Sequence, residues 1–250
     1  MKSLLTLMAS VVFASTFAQA PIAQPQSSLT PTTGCMSGNC TDGFGKWQFS
    51  NGYYEGFWED GKRKGYGVYD WDDYGVYVGF WLDNNMQGFG VYENENGEMK
   101  KGIYNNGTLG GLGEESADGG WSWTAGKYEN HSLVTEYSQQ ANNVTVGCTS
   151  GNCTDKYGTY IWDNGDLFLG FFLNSKPHLG VYVFSNGDTY QGMFNEKGQF
   201  HGQGMFSYES SSGMYAGDFQ NGQFHGKGYY FDDYTTKIGI WENGVITKSF

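Results

Sequence analysis

The chain has 250 residues, enough for one or two domains with a buried core. Glycine supplies 40 of them and aromatics 18%, against only 4 prolines, so a collagen-like helix is excluded and a disordered linker does not fit. The net charge of −12, from 14 basic against 26 acidic side chains, repels nucleic-acid phosphates and anionic membrane surfaces.

The first predicted element, residues 1–20, is an export signal: Lys2, the apolar run Leu4–Phe17, and small residues that place cleavage after Ala18 or Ala20. The run is too short to span a bilayer. The expected location is therefore outside the cytoplasm: secreted, periplasmic or at the cell surface. Residues 21–33, rich in Pro, Gln, Ser and Thr, read as a flexible leader.

A first block, 34–137, opens with Gly34-Cys35-Met36-Ser37-Gly38-Asn39-Cys40. Within it an aromatic-x-Gly-x-aromatic string appears at Tyr54-Glu55-Gly56-Phe57-Trp58 and Tyr77-Val78-Gly79-Phe80-Trp81, with weaker copies around Gly102 and Gly126. A linker at 138–146 follows. A second block, 147–250, opens with Gly147-Cys148-Thr149-Ser150-Gly151-Asn152-Cys153 and repeats the string at Gly170, Gly192 and Gly217, with a weak copy at Gly239. Spacings within a block run from 22 to 25 residues, and corresponding glycines lie 113 to 115 apart, which points to duplication of a four-repeat unit.

Each repeat reads as a hairpin. Val181–Phe184 and Thr189–Phe194 are β-prone and flank Asn186-Gly187, the strongest two-residue hairpin signal. Asn51-Gly52, Asn96-Gly97 and Asn164-Gly165 predict equivalent turns, and Asn195–Gly204 reads as a glycine-rich link. Alternation places Tyr190, Gly192 and Phe194 on one face, leaving a gap at the glycine across which a ring from a neighbouring strand can lie. The fold class is all-β: an elongated, solenoid-like twisted antiparallel sheet of successive β-hairpins. The run Tyr215-Ala216-Gly217-Asp218-Phe219-Gln220-Asn221-Gly222-Gln223-Phe224-His225-Gly226-Lys227-Gly228 resembles the MORN (membrane occupation and recognition nexus) repeat. The resemblance covers about residues 43–130 and 157–243. It implies scaffolding, membrane apposition and protein contacts, and brings no catalytic residues.

Four cysteines in two Cys-x4-Cys pairs, Cys35/Cys40 and Cys148/Cys153, favour local disulfides in an exported chain, each worth about 2 kcal/mol; a four-cysteine zinc site is the alternative. His201 and His225, 24 residues apart, read as structural positions rather than metal ligands, and Asp70, Asp72, Asp73, Asp232 and Asp233 read as turn chemistry rather than a calcium site. Trp47, Tyr69, Trp71 and Trp123 are candidates for an exposed aromatic platform. Glycosylation acceptor patterns start at Asn106, Asn130 and Asn143, among others. No cofactor and no paired catalytic carboxylates are expected. The sequence therefore predicts a non-catalytic interaction or structural scaffold with a protein partner, the alternative being a phospholipid- or glycan-binding module.

Overall fold

Short β-prone runs broken by glycine and asparagine pair with their immediate neighbours, and the whole fold follows that rule. A computed structural model describes residues 33–250; the expected export signal and the leader as far as Thr32 lie outside the described residues. The first sheet contains β1 (Gly34–Gly38), β2 (Gly43–Phe49), β3 (Gly52–Glu59), β4 (Lys62–Trp71), β5 (Gly75–Leu82), β6 (Asn85–Glu93), β7 (Met99–Asn105), β8 (Thr108–Ser116), β9 (Thr124–Glu129) and β10 (Ser132–Glu136). The second contains β11 (Gly147–Gly151), β12 (Tyr157–Ile161), β13 (Leu167–Leu173), β14 (Lys176–Val183), β15 (Thr189–Phe194), β16 (Phe200–Ser207), β17 (Met214–Gln220), β18 (Gln223–Phe231), β19 (Thr236–Glu242) and β20 (Val245–Ser249). Each sheet is antiparallel, with strands in sequence order.

The two ends of the sheets turn differently. At one end, seven two-residue connections have positive φ at both central residues: Asp60-Gly61, Asp83-Asn84, Asn106-Gly107, Asn130-His131, Asn174-Ser175, Asn221-Gly222 and Asn243-Gly244. That is the type I′ geometry, whose twist matches the flanking strands. The Asn-Gly pairs expected to make such turns sit at the opposite end instead. At Asn186-Gly187 only the glycine has positive φ, and Gly187 N–H donates to the Phe184 carbonyl, so asparagine closes a type I turn and glycine follows it. The predicted link Asn195–Gly204 is likewise corrected: from Phe200 onward it is strand β16.

What makes a glycine-bearing strand stable is visible in the register. Gly45, Gly56, Gly67, Gly79, Gly90, Gly102, Gly113 and Gly126 face one another in unbroken succession across the first sheet. Gly158, Gly170, Gly180, Gly192, Gly204, Gly217, Gly228 and Gly239 do the same in the second. Over each glycine pair lies a side chain. The Tyr190 ring covers Gly192 and Gly204, where an added Cβ would meet its hydroxyl at 2.7 and 2.5 Å. Tyr54, Tyr77, Phe168 and Tyr215 cover the corresponding pairs. The covering ring thus comes from the glycine's own strand, two residues earlier, rather than from a neighbour. A bulge beside the glycine turns a carbonyl to meet it: Tyr54, Tyr77, Tyr190 and Tyr215 donate to the carbonyls of Phe57, Phe80, Met193 and Asp218.

The worn repeats follow the same logic with substitute parts. Lys100, Thr124 and Lys237 stand where the covering ring should be. Leu109 covers Gly102 and Gly113 from the return strand, Leu133 covers Gly126, and Ile246 covers Gly239. At the first glycine of each ladder the cover is sulfur: a Cβ on Gly45 or Gly158 would meet Cys40 Sγ or Cys153 Sγ at 2.9 Å. Both local disulfides, Cys35–Cys40 and Cys148–Cys153, are formed, with Cα–Cα separations of 5.9 and 5.8 Å.

The sheets stack face to face. Phe57, Tyr66, Val78, Phe80 and Phe89 of the first pack with Tyr157, Phe171, Leu179, Met205 and Met214 of the second in one buried cluster. Strand order is reversed across the interface: β2 meets β19, β4 meets β17 and β18, and β6 meets β16. Polar ties complete it. Phe89 N–H donates to Gln203 Oε1 at 2.8 Å, Tyr157 hydroxyl to Glu114 at 3.0 Å, and Lys227 Nζ to Glu59 at 2.8 Å. Glu114 is also paired with Lys101 at 3.1 Å. The segment between the blocks runs along β11, where Asn142 N–H bonds the Thr149 carbonyl and Gly151 N–H bonds the Gln140 carbonyl, so it satisfies part of that edge.

Candidate interaction surface

Because each sheet gives one face to the other, only the opposite faces look outward. They are aromatic. In the second sheet Tyr160, Phe168, Tyr182, Tyr190, Phe206, Tyr215 and Tyr230 are successive cross-strand partners. Phe168, Tyr190 and Tyr215, the glycine covers, are fully buried, and the other four are half-buried. Phe200 and Phe224 stack on Tyr190 and Tyr215 with centroids 3.9 and 3.8 Å apart. Nearer the loop end, rings meet in a chain: Tyr160–Trp162 at 4.8 Å, Trp162–Tyr182 at 5.2 Å, Tyr182–Phe184 at 4.8 Å, Phe184–Phe206 at 5.9 Å and Phe206–Tyr208 at 4.8 Å.

The first sheet carries a shorter version. Trp47, Phe49, Tyr69, Trp71 and Tyr92 form its chain, with Phe49–Tyr69 at 5.5 Å, Tyr69–Trp71 at 4.3 Å and Trp71–Tyr92 at 6.3 Å. Of the four residues expected to form a platform, Trp47 and Trp71 are half-buried members of this outer face. Tyr69 is only 4% exposed and serves as packing beneath them, its hydroxyl donating to Asn51. Trp123 is not with them. It precedes β9, lies under Lys101 Nζ at 4.0 Å and donates its indole N–H to the Gly120 carbonyl.

Arg63, the only arginine in the chain, lies outside the residues expected to form the platform. Its guanidinium lies 4.4 Å from the Trp81 centroid, 5.2 Å from Tyr69, 5.7 Å from Phe49 and 5.8 Å from Tyr54, and it donates to the Asn84 carbonyl at 2.7 Å. Burial pulls its pKa down, the neighbouring tyrosines opposing. One arginine amid so many rings was the available signal.

Several carboxylates sit in the loops between strands. Asp232 accepts the backbone N–H groups of Tyr234 and Thr235 and the Tyr230 hydroxyl, which together hold its pKa down. Asp166 accepts the Tyr182 hydroxyl and Ser185 N–H at 2.7 and 2.9 Å. Burial raises Tyr182 to a value above the usual phenol range. His201 Nδ1 accepts Asn221 N–H at 3.4 Å, while His225 Nδ1 is buried without a hydrogen bond. No cluster of three or more His, Cys, Asp or Glu able to hold a metal occurs among the described residues. Beside the second disulfide, Asn152, Thr154, Tyr160, Trp162, Phe172 and Ser175 line an open groove. The acceptor asparagines Asn106, Asn130 and Asn143 are exposed and have positive φ.

The MORN repeat family model matches residues 54–76, 77–99, 157–167, 179–189, 190–213 and 215–236. No curated protein matches the chain.

Proposed function

We propose that this chain, which carries MORN repeats at six positions, is a non-catalytic extracytoplasmic scaffold holding a protein partner against its outer aromatic faces. MORN repeats mediate protein and membrane-lipid contacts. The observation that carries the protein reading is the allocation of faces: each sheet covers the inner face of the other, while half-buried rings such as Trp47, Trp71, Trp162, Phe184 and Tyr208 remain on the outside. Aromatic residues of this kind supply large contact area at small cost in conformational entropy. The net charge of −12 weighs against an anionic lipid surface. Support for a non-catalytic role comes from carboxylates engaged in loops between strands, such as Asp166 and Asp232, and in inter-sheet ties, such as Glu59 and Glu114. The two disulfides are compatible with an oxidising, exported setting.

The test is capture from the compartment the protein occupies. Tagged mature chain should retain a specific protein partner, and the Trp47→Ala/Trp162→Ala variant should lose it while keeping its circular dichroism. Salt-sensitive pelleting with anionic vesicles, without protein capture, would overturn the reading in favour of lipid.

A further inference from the structure

The two blocks repeat each other, but the place beside their disulfides is filled in the first and open in the second. In the first block Trp47 is the register partner of Cys35 and meets Trp58 with centroids 6.1 Å apart. Trp58 sends its indole N–H to the Gly45 carbonyl at 3.0 Å. Arg63 faces Trp58 and lays its guanidinium 5.7 Å from the Phe49 ring. In the second block Tyr160 stands for Trp47, Phe172 for Trp58 and Pro177 for Arg63, so each is smaller and the cation is gone. Only the ring at Phe49 has grown, to Trp162. What this leaves is an open groove of about 560 Å³, a volume within the range of small-ligand sites.

The lining divides by chemistry. Tyr160, Trp162 and Phe172 supply rings, and Asn152, Thr154 and Ser175 supply polar groups. The three polar residues are exposed and Tyr160 and Trp162 are half-buried, so both kinds of group meet solvent. Asn152 Oδ1 is held by the N–H groups of Thr154 and Asp155 at 2.9 and 3.3 Å, which leaves Nδ2 as its donor. Ser175 is particular to this block, since the matching turn residue is Gly61, which has no hydroxyl. No Asp, Glu, Lys, Arg or His lines the groove. An ion finds no countercharge there, and a purely apolar chain would strip water from the polar groups without replacing their hydrogen bonds. A pyranose matches both parts of the lining. Its C–H face lies on aromatic rings, and its hydroxyls donate and accept.

We infer that the groove beside Cys148–Cys153 binds a neutral hexose of a glycan chain, stacked on Trp162 and Tyr160 and hydrogen-bonded by Asn152, Thr154 and Ser175. This goes beyond the scaffold reading, because it gives the second block a ligand class that the first block, with the place filled, does not share.

The probes are cellohexaose, laminarihexaose and maltohexaose, titrated calorimetrically into the full mature chain. At least one should bind saturably at a single site, with an affinity unchanged between low and high salt. Tyr160→Trp/Phe172→Trp restores the pair that the first block already packs; it should keep the circular dichroism, close the groove and weaken binding at least about tenfold. Ser175→Gly suits the positive φ of 59° at that turn and removes the hydroxyl, so about a fivefold loss is expected, the worth of one hydrogen bond. A diazirine-bearing glucoside on the unaltered protein should label within 152–154, 160–162 or 172–175, a readout that does not depend on how the variants fold. Failure of all three hexamers to bind, full affinity in the filled variant, labelling elsewhere, or equal binding to neutral phosphatidylcholine vesicles would each overturn the inference. Successful partner capture by a chain that binds no hexamer would sink this inference alone and leave the scaffold reading standing.

Discussion

Gly204 offers the sharpest test of how the glycine ladder works. Its backbone is not in the left-handed region, so alanine there meets no φ penalty; the obstacle is steric alone. An added Cβ would lie 2.5 Å from the Tyr190 hydroxyl, 2.6 Å from Cε2 and 2.7 Å from Cζ. The ring cannot easily retreat. Its hydroxyl bonds the Met193 carbonyl at 2.7 Å, Phe200 stacks on it at 3.9 Å, and Phe194 and Phe219 meet it edge-on at 5.1 and 5.0 Å. Overpacking a closed core costs about 1–3 kcal/mol, and loss of the hydroxyl bond adds about 1. Gly204→Ala should therefore destabilise by about 2–4 kcal/mol, lowering the melting temperature by about 5–15 °C for a fold of this size. Gly110→Ala is the control. That glycine also lies in a strand, with no positive φ and nothing nearer than 3.7 Å, and its substitution should change stability by less than about 0.5 kcal/mol or raise it. A second arm uses Tyr190→Ala: the double variant should cost less than the sum of the singles by more than about 1 kcal/mol, because the clash vanishes with the ring. Chemical denaturation followed by circular dichroism measures all four proteins. Equal effects of Gly204→Ala and Gly110→Ala would refute the covering-ring account.

Four further outcomes are expected. Replacing Cys148 and Cys153 together by serine should cost about 2 kcal/mol by chain entropy, read as a lowered melting temperature; no change would show that this disulfide adds nothing to stability. Burial pushes the Asp218 carboxyl up to about 6, above its unfolded value near 3.9, with His225 and Lys227 opposing. The native state then binds more protons between about pH 4 and 6, so stability falls as pH rises through that window; Asp218→Asn should flatten this slope in denaturation curves across pH. Glu59 acts oppositely, since its bonds to Lys227 and Lys64 hold it at about 2, and its contribution is lost as pH falls toward that value. Lys101→Met strands Glu114, which is only 4% exposed, and should cost about 3 kcal/mol, while adding Glu114→Gln should recover part of that loss in the same unfolding assay.

The repeat was legible because it is local. Glycines spaced 22 to 25 residues apart, with an aromatic two positions after each, marked strands that the structure contains around Gly56, Gly79, Gly192 and Gly217. What covers each glycine was less legible. Tyr190 and Gly192 read as face-sharing neighbours, yet whether the ring bends over its own strand depends on the bulge that frees the Met193 carbonyl. In the worn copies Leu109, Leu133 and Ile246 arrive from the other strand of the hairpin, so the short aromatic string around Gly102, Gly126 or Gly239 could not reveal them. Turn placement failed for a similar reason. Asn-Gly suits both a two-residue turn and the end of a type I turn, and only the pairing of the flanking strands distinguishes them. The stacking of the sheets was invisible, since Phe57 and Phe171 show that an inner face is apolar and not what it meets. Of the platform, Trp47 and Trp71 came from the sequence; the ring chain from Tyr160 to Tyr208 needed the register.

The reversed stacking of the sheets has a kinetic consequence. Within each sheet every strand pairs with its successor, so hairpins close over short stretches of chain and form early. The interface instead joins Phe44 to Tyr229 and Tyr66 to Met205, contacts that must wait until both sheets exist. During that interval each finished sheet exposes an apolar face that the matching sheet of another molecule can cover equally well. Crowded folding therefore favours exchanged dimers, in which the first block of one chain closes on the second block of its neighbour and returns the favour with the same contacts. Refolding at rising protein concentration should populate such dimers, and the strip between Glu136 and Gly147 is the hinge that would have to open.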